Sequence, residues 1–317
     1  MGKLDGRVAI VTGAGRGIGA SIAKLMAAEG AKVVVNDLGA NVDGTGAASG
    51  PADEVVEEIK KAGGEAIANG DSVADHEAAE NMVRQTLDEY GKLDILVNVA
   101  GILRDRMIFN MSEEEWDAVI NVHLKGTFNT TKFASIHWRQ AREGHYRLIN
   151  FTSGSGLHGS PGQPNYAAAK MGIIGLTYSC AAALGRYGVT SNAISPGAAT
   201  RMTESVPQTR RRALAPASAD SPERSPDNVA TPVVFIASEG TDWLNGQVIS
   251  AAGYRIGLYN TPEPIRELQS NAPWSLDDAF AHMERSFRQA LGGSMSFGGR
   301  PREVASPAGD EGAEKKE

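Results

Sequence analysis

Two groups of residues in this chain have types and spacings that could do chemistry. The first is Thr12-Gly13-Ala14-Gly15-Arg16-Gly17-Ile18-Gly19, which follows a predicted strand and opens a predicted helix. Glycines let such a turn approach a pyrophosphate closely, and the amides and dipole of the helix start attract the anion. Glycine triplets also arise for steric reasons alone, so the strand before and the helix after are what mark a dinucleotide fingerprint. Asp37 ends the next predicted strand, 18 positions beyond Gly19. A carboxylate there accepts hydrogen bonds from ribose hydroxyls and repels a 2′-phosphate, so NAD is expected over NADP. Arg16 pulls the other way, since a guanidinium in the loop could pair with that phosphate. Asp37 could also serve only as a strand-end turn former. The second group is Ser153, Tyr166 and Lys170. Tyr166 and Lys170 share one helix face at i and i+4, a spacing that many helices contain by chance. Ser153 makes it informative. It follows a predicted strand 13 positions before Tyr166, and a hydroxyl at the carboxyl end of a sheet strand points into the ligand crevice of α/β proteins.

The elements that must position these groups alternate along most of the chain. Short apolar runs at Val8–Val11, Lys32–Val35, Leu93–Val97 and Leu148–Phe151 read as strands buried on both faces, with further strands near Ser191–Ile194 and Gln247–Ser250. Between them, Ile18, Ile22, Leu25 and Met26 recur at helical spacing, with Gly30 as a stop. Pro51 opens a helix carrying Val55, Val56 and Ile59. Ser112 and Glu115 form a capping box for one long helix running to about Trp138. Helices are also expected over Asn165–Tyr187 and near Asp227–Ser238. The fold class is therefore α/β, a Rossmann-type doubly wound parallel sheet with a C-terminal helical extension. Three segments break the rhythm: the Gly/Ala-rich insertion Gly39–Gly50, a Pro-rich stretch Thr200–Pro226 that reads as a mobile loop or lid, and everything past Tyr259. The expected division is a catalytic domain over 1–258, an extension over 259–293 with an amphipathic helix at Leu276–Leu291, and a disordered tail over 294–317. The chain has 317 residues, 41% of them hydrophobic, enough for a sizeable core. A net charge of −7 argues against nucleic-acid binding. One cysteine, Cys180, excludes an internal disulfide, and no metal-ligand spacing joins it to His76, His123, His137, His145 or His158. These histidines read as surface or packed residues, with His158 alone near the expected substrate crevice. No membrane span and no signal peptide are expected, which suggests a cytoplasmic protein.

With these residues in place, the chain resembles the short-chain dehydrogenase/reductases over roughly residues 4–258. The loop Thr12–Gly19, Asn98-Val99-Ala100-Gly101, Asn121, Ser153, Tyr166, Lys170 and Pro196-Gly197 carry the resemblance together. Val99 departs from it, because the family usually has a second asparagine there. The resemblance implies that Tyr166 is the general acid and base and that Ser153 hydrogen-bonds the substrate oxygen. It implies that Lys170 lowers the Tyr166 pKa and holds the nicotinamide ribose, while Asn121 positions a water for proton relay. Working near pH 7 would require lowering a tyrosine by roughly three units, about 4 kcal/mol. On the cofactor side it implies contacts from Gly13, Arg16, Gly17, Ile18, Gly19, Asp37, Leu38, Asn98, Ala100 and Gly101. Asp71-Ser72 looks like the adenine-contacting segment, although a helix cap reads equally well. Pro196, Gly197, Ala199 and Thr200 would close over the carboxamide. Within the family the chain looks like a branch of (3R)-hydroxyacyl-CoA and type 4 17β-hydroxysteroid dehydrogenases. That branch includes domains of peroxisomal multifunctional enzymes type 2 and actinobacterial sterol-breakdown relatives. Val35–Gly39, the insertion Ala40–Gly50, Val55–Ile59, Asn98–Arg106 and Ser195–Thr203, with Arg201-Met202-Thr203, carry this likeness. It implies an acyl-CoA thioester or steroid substrate and a homodimer or homotetramer. The Arg210–Arg212 triplet could meet an anionic tail or be simply solvated. The alternatives are an NADPH-dependent 3-oxoacyl carrier-protein reductase and a non-catalytic nucleotide sensor.

Overall fold

The structure, a computed structural model, describes residues 2–46, 50–142, 144–198 and 221–291. Ala199, Thr200, most of the expected lid, the Arg210–Arg212 triplet and the tail over 294–317 lie outside the described residues.

Strands β1 Val8–Thr12, β2 Lys32–Asn36, β3 Glu65–Asn69, β4 Ile95–Asn98, β5 Tyr146–Phe151, β6 Val189–Gly197 and β7 Val248–Ala252 form a parallel sheet in the order β3-β2-β1-β4-β5-β6-β7. An edge strand not expected from the sequence, β8 Arg255–Leu258, adds antiparallel to β7. Side chains alternate across a strand, and both faces here are apolar because helices cover both. Ala9 and Val11, Val33 and Val35, and Ile95 and Val97 join one core. Helices α1 Gly17–Ala28 and α2 Gly50–Lys61 supply Ile22, Met26, Val55 and Ile59 to it. Ile10, Val34, Leu96 and Leu148 face the other side, against Met82 and Val83 of α3 His76–Tyr90. The indole N–H of Trp138, buried in that second core, donates to the Leu93 carbonyl at 2.8 Å, satisfying the one polar atom of a large apolar group.

The expected long helix is broken. Its start agrees with the sequence: Ser112 and Glu115 form the capping box of α4 Glu113–Ile120. A π-helical turn, Asn121–Lys125, then intervenes before α5 Gly126–Ala141. A π turn inserts an extra residue and so rotates the face presented by the next helical segment, a device common at functional sites. Further on come α6 Gly154–His158, α7 Pro164–Leu184 and α8 Asp227–Ala237, which belongs to the first core through Val229 and Val233. By length and composition α7 would pass as a membrane span, but it carries the buried Lys170, Thr177 and Asn165. The first compact unit is Met1–Thr261, and a second begins at Pro262. The second holds α9 Leu276–Leu291, capped by Ser275, whose hydroxyl accepts from the Asp278 amide at 3.1 Å.

A polar row crosses the carboxyl ends of five strands in register, pairing Asn69 with Asn36, Asn36 with Thr12, Thr12 with Asn98 and Asn98 with Asn150. Asn36 donates to Asn69 Oδ1 at 2.7 Å and Asn98 to Asn150 Oδ1 at 3.0 Å. Thr130 of α5 donates to Asn98 Oδ1 at 2.7 Å, and Asn150 donates to Thr177 of α7 at 3.0 Å. Asn98 is thus turned into the core rather than toward a cofactor. Asn98→Ala should lower unfolding free energy by about 1–3 kcal/mol, since it strands a buried acceptor on Asn150. Denaturant titration should show a lower midpoint at unchanged slope. An unchanged midpoint with weakened cofactor binding would return Asn98 to the cleft.

Candidate active site

One end of the cleft is built by the glycine loop. After Thr12 the chain turns at Gly13, with φ of 62°, and a Cβ there would lie 2.7 Å from the Ala100 Cα. Thr12 Oγ1 accepts the amides of Val99 and Ala100 at 3.1 and 3.2 Å, tying this loop to the one after β4. Arg16 stands at the N-cap of α1 with no side-chain cap bond, so the first amides of α1 have no capping oxygen. Uncapped helix amides above a glycine cradle suit the pyrophosphate of a nicotinamide dinucleotide. Asp37 fits both readings offered for it. It lines the cleft, and its carboxylate also accepts the amides of Gly15 at 2.8 Å and Gly39 at 2.7 Å.

The insertion forms a wall of this cleft, through Asn41, Val42 and Gly44. It is pinned there by the Leu103 amide donating to Val42 O at 2.8 Å and by Arg104 Nε donating to Asp43 O at 2.9 Å. Asp71 and Ser72 line the same cleft. The cap reading for them is corrected, because the cap of α3 is Asp75, which accepts from the Ala78 amide at 2.9 Å.

At the other end, Ser153 follows β5 and caps α6, its hydroxyl accepting the Ser155 amide at 3.2 Å. Pro164 opens α7, with its ring preset for the first helical position, and the helix carries Tyr166 and Lys170 one turn apart. Lys170 is 4% exposed. Its Nζ donates to the Phe151 carbonyl at 2.7 Å and lies 5.5 Å from the centre of the Tyr166 ring. Burial pushes the Tyr166 phenol up to about 12, against the opposing hydrogen bond from Ser153 and with a further rise from the Asp105 charge. Burial also pushes Lys170 down to about 7. In the protein alone the phenol therefore stands above its ordinary value, with burial the largest cause. Removing a charged form from water is costly, and here that affects phenolate and ammonium alike. Asp105 reaches this end through a chain that spacing did not reveal. Ser155 donates to Gln163 Oε1 at 2.9 Å, and Gln163 Nε2 donates to both Asp105 oxygens, at 2.9 and 3.1 Å.

Of the residues singled out in the sequence, Gly13, Arg16, Gly17, Ile18, Gly19, Asp37, Leu38, Asp71, Ser72, Ala100, Gly101, Tyr166, Lys170 and Pro196 line one cleft, with Val99 beside them. Ser153 joins them through its bond to Tyr166. Three do not. Asn98 sits in the polar row, and Gly197 pairs with Ala252 inside the sheet. Asn121 is exposed at the start of the π turn and does not line the cleft. The side chain that turn delivers is His123, which is 1% exposed, lines the cleft and meets the Tyr166 ring edge-on at 5.1 Å. His158 is exposed, with its ring 6.1 Å from that of Tyr259. Among the described residues no group of His, Cys, Asp or Glu could hold a metal.

Residues 7–211 match the family model described as short chain dehydrogenase. Hydroxyacyl-CoA dehydrogenase ChsB1 of Mycobacterium tuberculosis is 42% identical over 278 residues, 84% of each chain. Peroxisomal multifunctional enzyme type 2 of Drosophila melanogaster is 44% identical over 261 residues, 81% of this chain and 41% of that one. The chain thus spans less than half the length of that multifunctional relative. A crystal structure of a short chain dehydrogenase from Mycobacterium avium superposes with a TM-score of 0.78 at 43% identity, covering 90% of this chain and 96% of the other.

Proposed function

Because the chain belongs to the short-chain dehydrogenases, oxidoreductases that act on CH–OH groups with a nicotinamide cofactor, we propose that it is an NAD-dependent 3-hydroxyacyl-CoA dehydrogenase of fatty-acid or sterol breakdown. The observation that carries this is the grouping of Ser153, Tyr166 and Lys170 at one end of a glycine-cradled cleft. Likeness to a hydroxyacyl-CoA dehydrogenase over 84% of both chains supports the substrate class.

The cofactor, when bound, supplies the acceptor for the hydride that leaves the carbinol carbon. Tyr166 takes the hydroxyl proton, and Ser153 holds the same oxygen and stabilises developing charge on it. Lys170 is held by the Phe151 carbonyl and would hold the nicotinamide ribose of a bound cofactor. Near pH 7 it is divided between ammonium and amine, which suits a group that receives a proton and passes it on.

Initial rates of oxidation of 3-hydroxyacyl-CoA thioesters and of a 17β-hydroxysteroid, each with NAD and NADP, test the reading. Turnover of a 3-hydroxyacyl-CoA with NAD upholds it, and turnover of the steroid alone would replace the thioester with a steroid alcohol as the substrate. Turnover only with NADP, or with neither substrate, removes the substrate assignment and favours a carrier-protein or small-carbonyl reductase.

Cofactor choice rests on Asp37. Asp37→Ala removes the carboxylate that would repel a 2′-phosphate, so the NADP-to-NAD ratio of kcat/KM should rise about tenfold or more, on the order of 1.4 kcal/mol. Affinity for both cofactors should also fall, because the Gly15 and Gly39 amides lose their acceptor. An unchanged ratio would move cofactor choice to another residue, with Arg16 first. The exposed Phe128 and Ile136 on α5 and Met171 on α7 support a homodimer or homotetramer built through these helices. Light scattering at micromolar concentration should report twice or four times the chain mass.

A further inference from the structure

Ser153 caps a helix too short to hold itself in place. α6 Gly154–His158 has five residues, and its Gly156 and Leu157 amides donate to the Ser153 carbonyl at 3.0 and 3.1 Å. So short a helix depends on tertiary ties. One tie is steric. A Cβ on Gly156 would lie 2.9 Å from the Lys170 carbonyl carbon and from the Met171 nitrogen, so α6 rests directly on the backbone of α7. The other tie is polar and begins at Asp105.

The chain on either side of Asp105 is anchored. The Arg104 carbonyl accepts from Asn165 Nδ2 at 3.0 Å, the Arg106 amide donates to the Gly162 carbonyl at 2.8 Å, and the Arg106 guanidinium pairs with Glu115 at 2.8 Å. An ionised carboxylate only accepts, so the Gln163 amide turns its nitrogen to Asp105, 2.9 and 3.1 Å from the two oxygens. Gln163 Oε1 then faces Ser155 and takes its hydroxyl proton in a bond of 2.9 Å. The Ser155 amide in turn donates to Ser153 Oγ at 3.2 Å. That bond occupies one lone pair of Ser153 and leaves its O–H pointing toward the oxygen it meets at Tyr166. Gln163 is 8% exposed, and a run of hydrogen bonds with a charged end and little water around it is fixed in both direction and polarity.

We propose that Asp105 and Gln163 are positioning residues for Ser153: acting through Ser155, they set the first turn of α6 so that the Ser153 hydroxyl hydrogen is presented to the substrate oxygen. The consequence for turnover rests on the dehydrogenase reading above. As the carbinol loses hydride and proton, charge develops on that oxygen, and a donor already aimed at it needs no reorganisation.

Reversing the polarity of the Asp105–Gln163 pair tests this. Gln163→Glu sets two carboxylates face to face and removes the amide donor, and kcat for alcohol oxidation should fall about tenfold or more. Adding Asp105→Asn returns an amide donor to the pair while the new carboxylate still accepts from Ser155, and kcat should recover most of the loss, with KM for NAD near the parental value throughout. Gln163→Met, which keeps the bulk and breaks the link, should also cost about tenfold, but nothing further in a Ser153→Ala background, because its effect runs through the missing hydroxyl. If Gln163→Met fails to fold, Ser155→Ala breaks the same link. Equal losses in both backgrounds, or no recovery in the double variant, would overturn the proposal and make the pair a structural clip. Crystal structures of the parent and of Gln163→Met need no substrate: Ser153 Oγ should be displaced or divided between two rotamers in the variant, and an unmoved Ser153 would also overturn it. The rates can be taken on whichever secondary alcohol the parent oxidises, so loss of the thioester assignment leaves these comparisons intact and the two readings fail separately.

Discussion

Tyr166→Phe should lose between about a hundredfold and ten-thousandfold in kcat, the range expected for removal of a positioned acid–base group. A loss of a thousandfold corresponds to about 4 kcal/mol of barrier. The substitution removes one oxygen and keeps the ring that meets His123 and lies against Lys170, so the cleft keeps its shape. Cofactor affinity, read by NADH fluorescence, should stay near parental. Stability should change little or rise, because a phenol oxygen buried with one hydrogen bond is replaced by hydrogen. The pH dependence gives a second reading. With the phenol pushed up to about 12 before cofactor binds, phenolate is the minor form at pH 7, and alcohol oxidation should accelerate as pH rises. Carbonyl reduction needs the phenol and should not share that rise. In Tyr166→Phe the residual oxidation should lose the slope. Turnover within tenfold of the parent would remove Tyr166 from its role.

The features legible in the sequence are the local ones. The glycine loop, the capping box and the Tyr166–Lys170 pair each lie within a few residues of chain, and strand parity comes from alternation. The fold came with them, because alternating strands and helices leave few topologies. The features that escaped depend on contacts far apart in the chain. The exchange of Asn121 for His123 depends on the π turn, which packs where α7 comes close: a Cβ on Gly172 would lie 3.0 Å from Leu124. No residue near 121 announces such a turn. Likewise, Asn98 ends its strand as a cleft residue would. Only register with Asn150, and Thr130 brought over by α5, turns it inward. The Tyr166 shift went the opposite way from expectation for the same reason. A sequence shows which charge stands one helical turn away, whereas burial, the larger effect, belongs to the assembled fold.

Gly19→Ala should weaken cofactor binding about a hundredfold, on the scale set by an ångström-sized misplacement. A methyl group at this position would sit 2.2 Å from the Gly13 carbonyl oxygen, 2.8 Å from its carbon and 2.9 Å from the Ala14 Cα. Every one of these atoms is backbone, so no side chain can swing aside. The loop cannot retreat either. The Ala14 amide donates to Asn36 O at 2.9 Å, the Gly15 amide is held by Asp37, and a Cβ at Gly13 would lie only 2.7 Å from the Ala100 Cα. The start of α1 must therefore move away from the loop, carrying with it the amides that would meet the pyrophosphate. Farther along α1, Ile22 and Met26 remain fixed in the core, so the chain should still fold, with its circular dichroism preserved and its melting temperature lowered. Gly175→Ala is the matched control. It adds the same methyl group to a helix where nothing lies within 4 Å, and NADH affinity should be unchanged. Parental NADH affinity in Gly19→Ala would mean that the pyrophosphate is held elsewhere, and the reading of this loop as the cofactor cradle would fall with it.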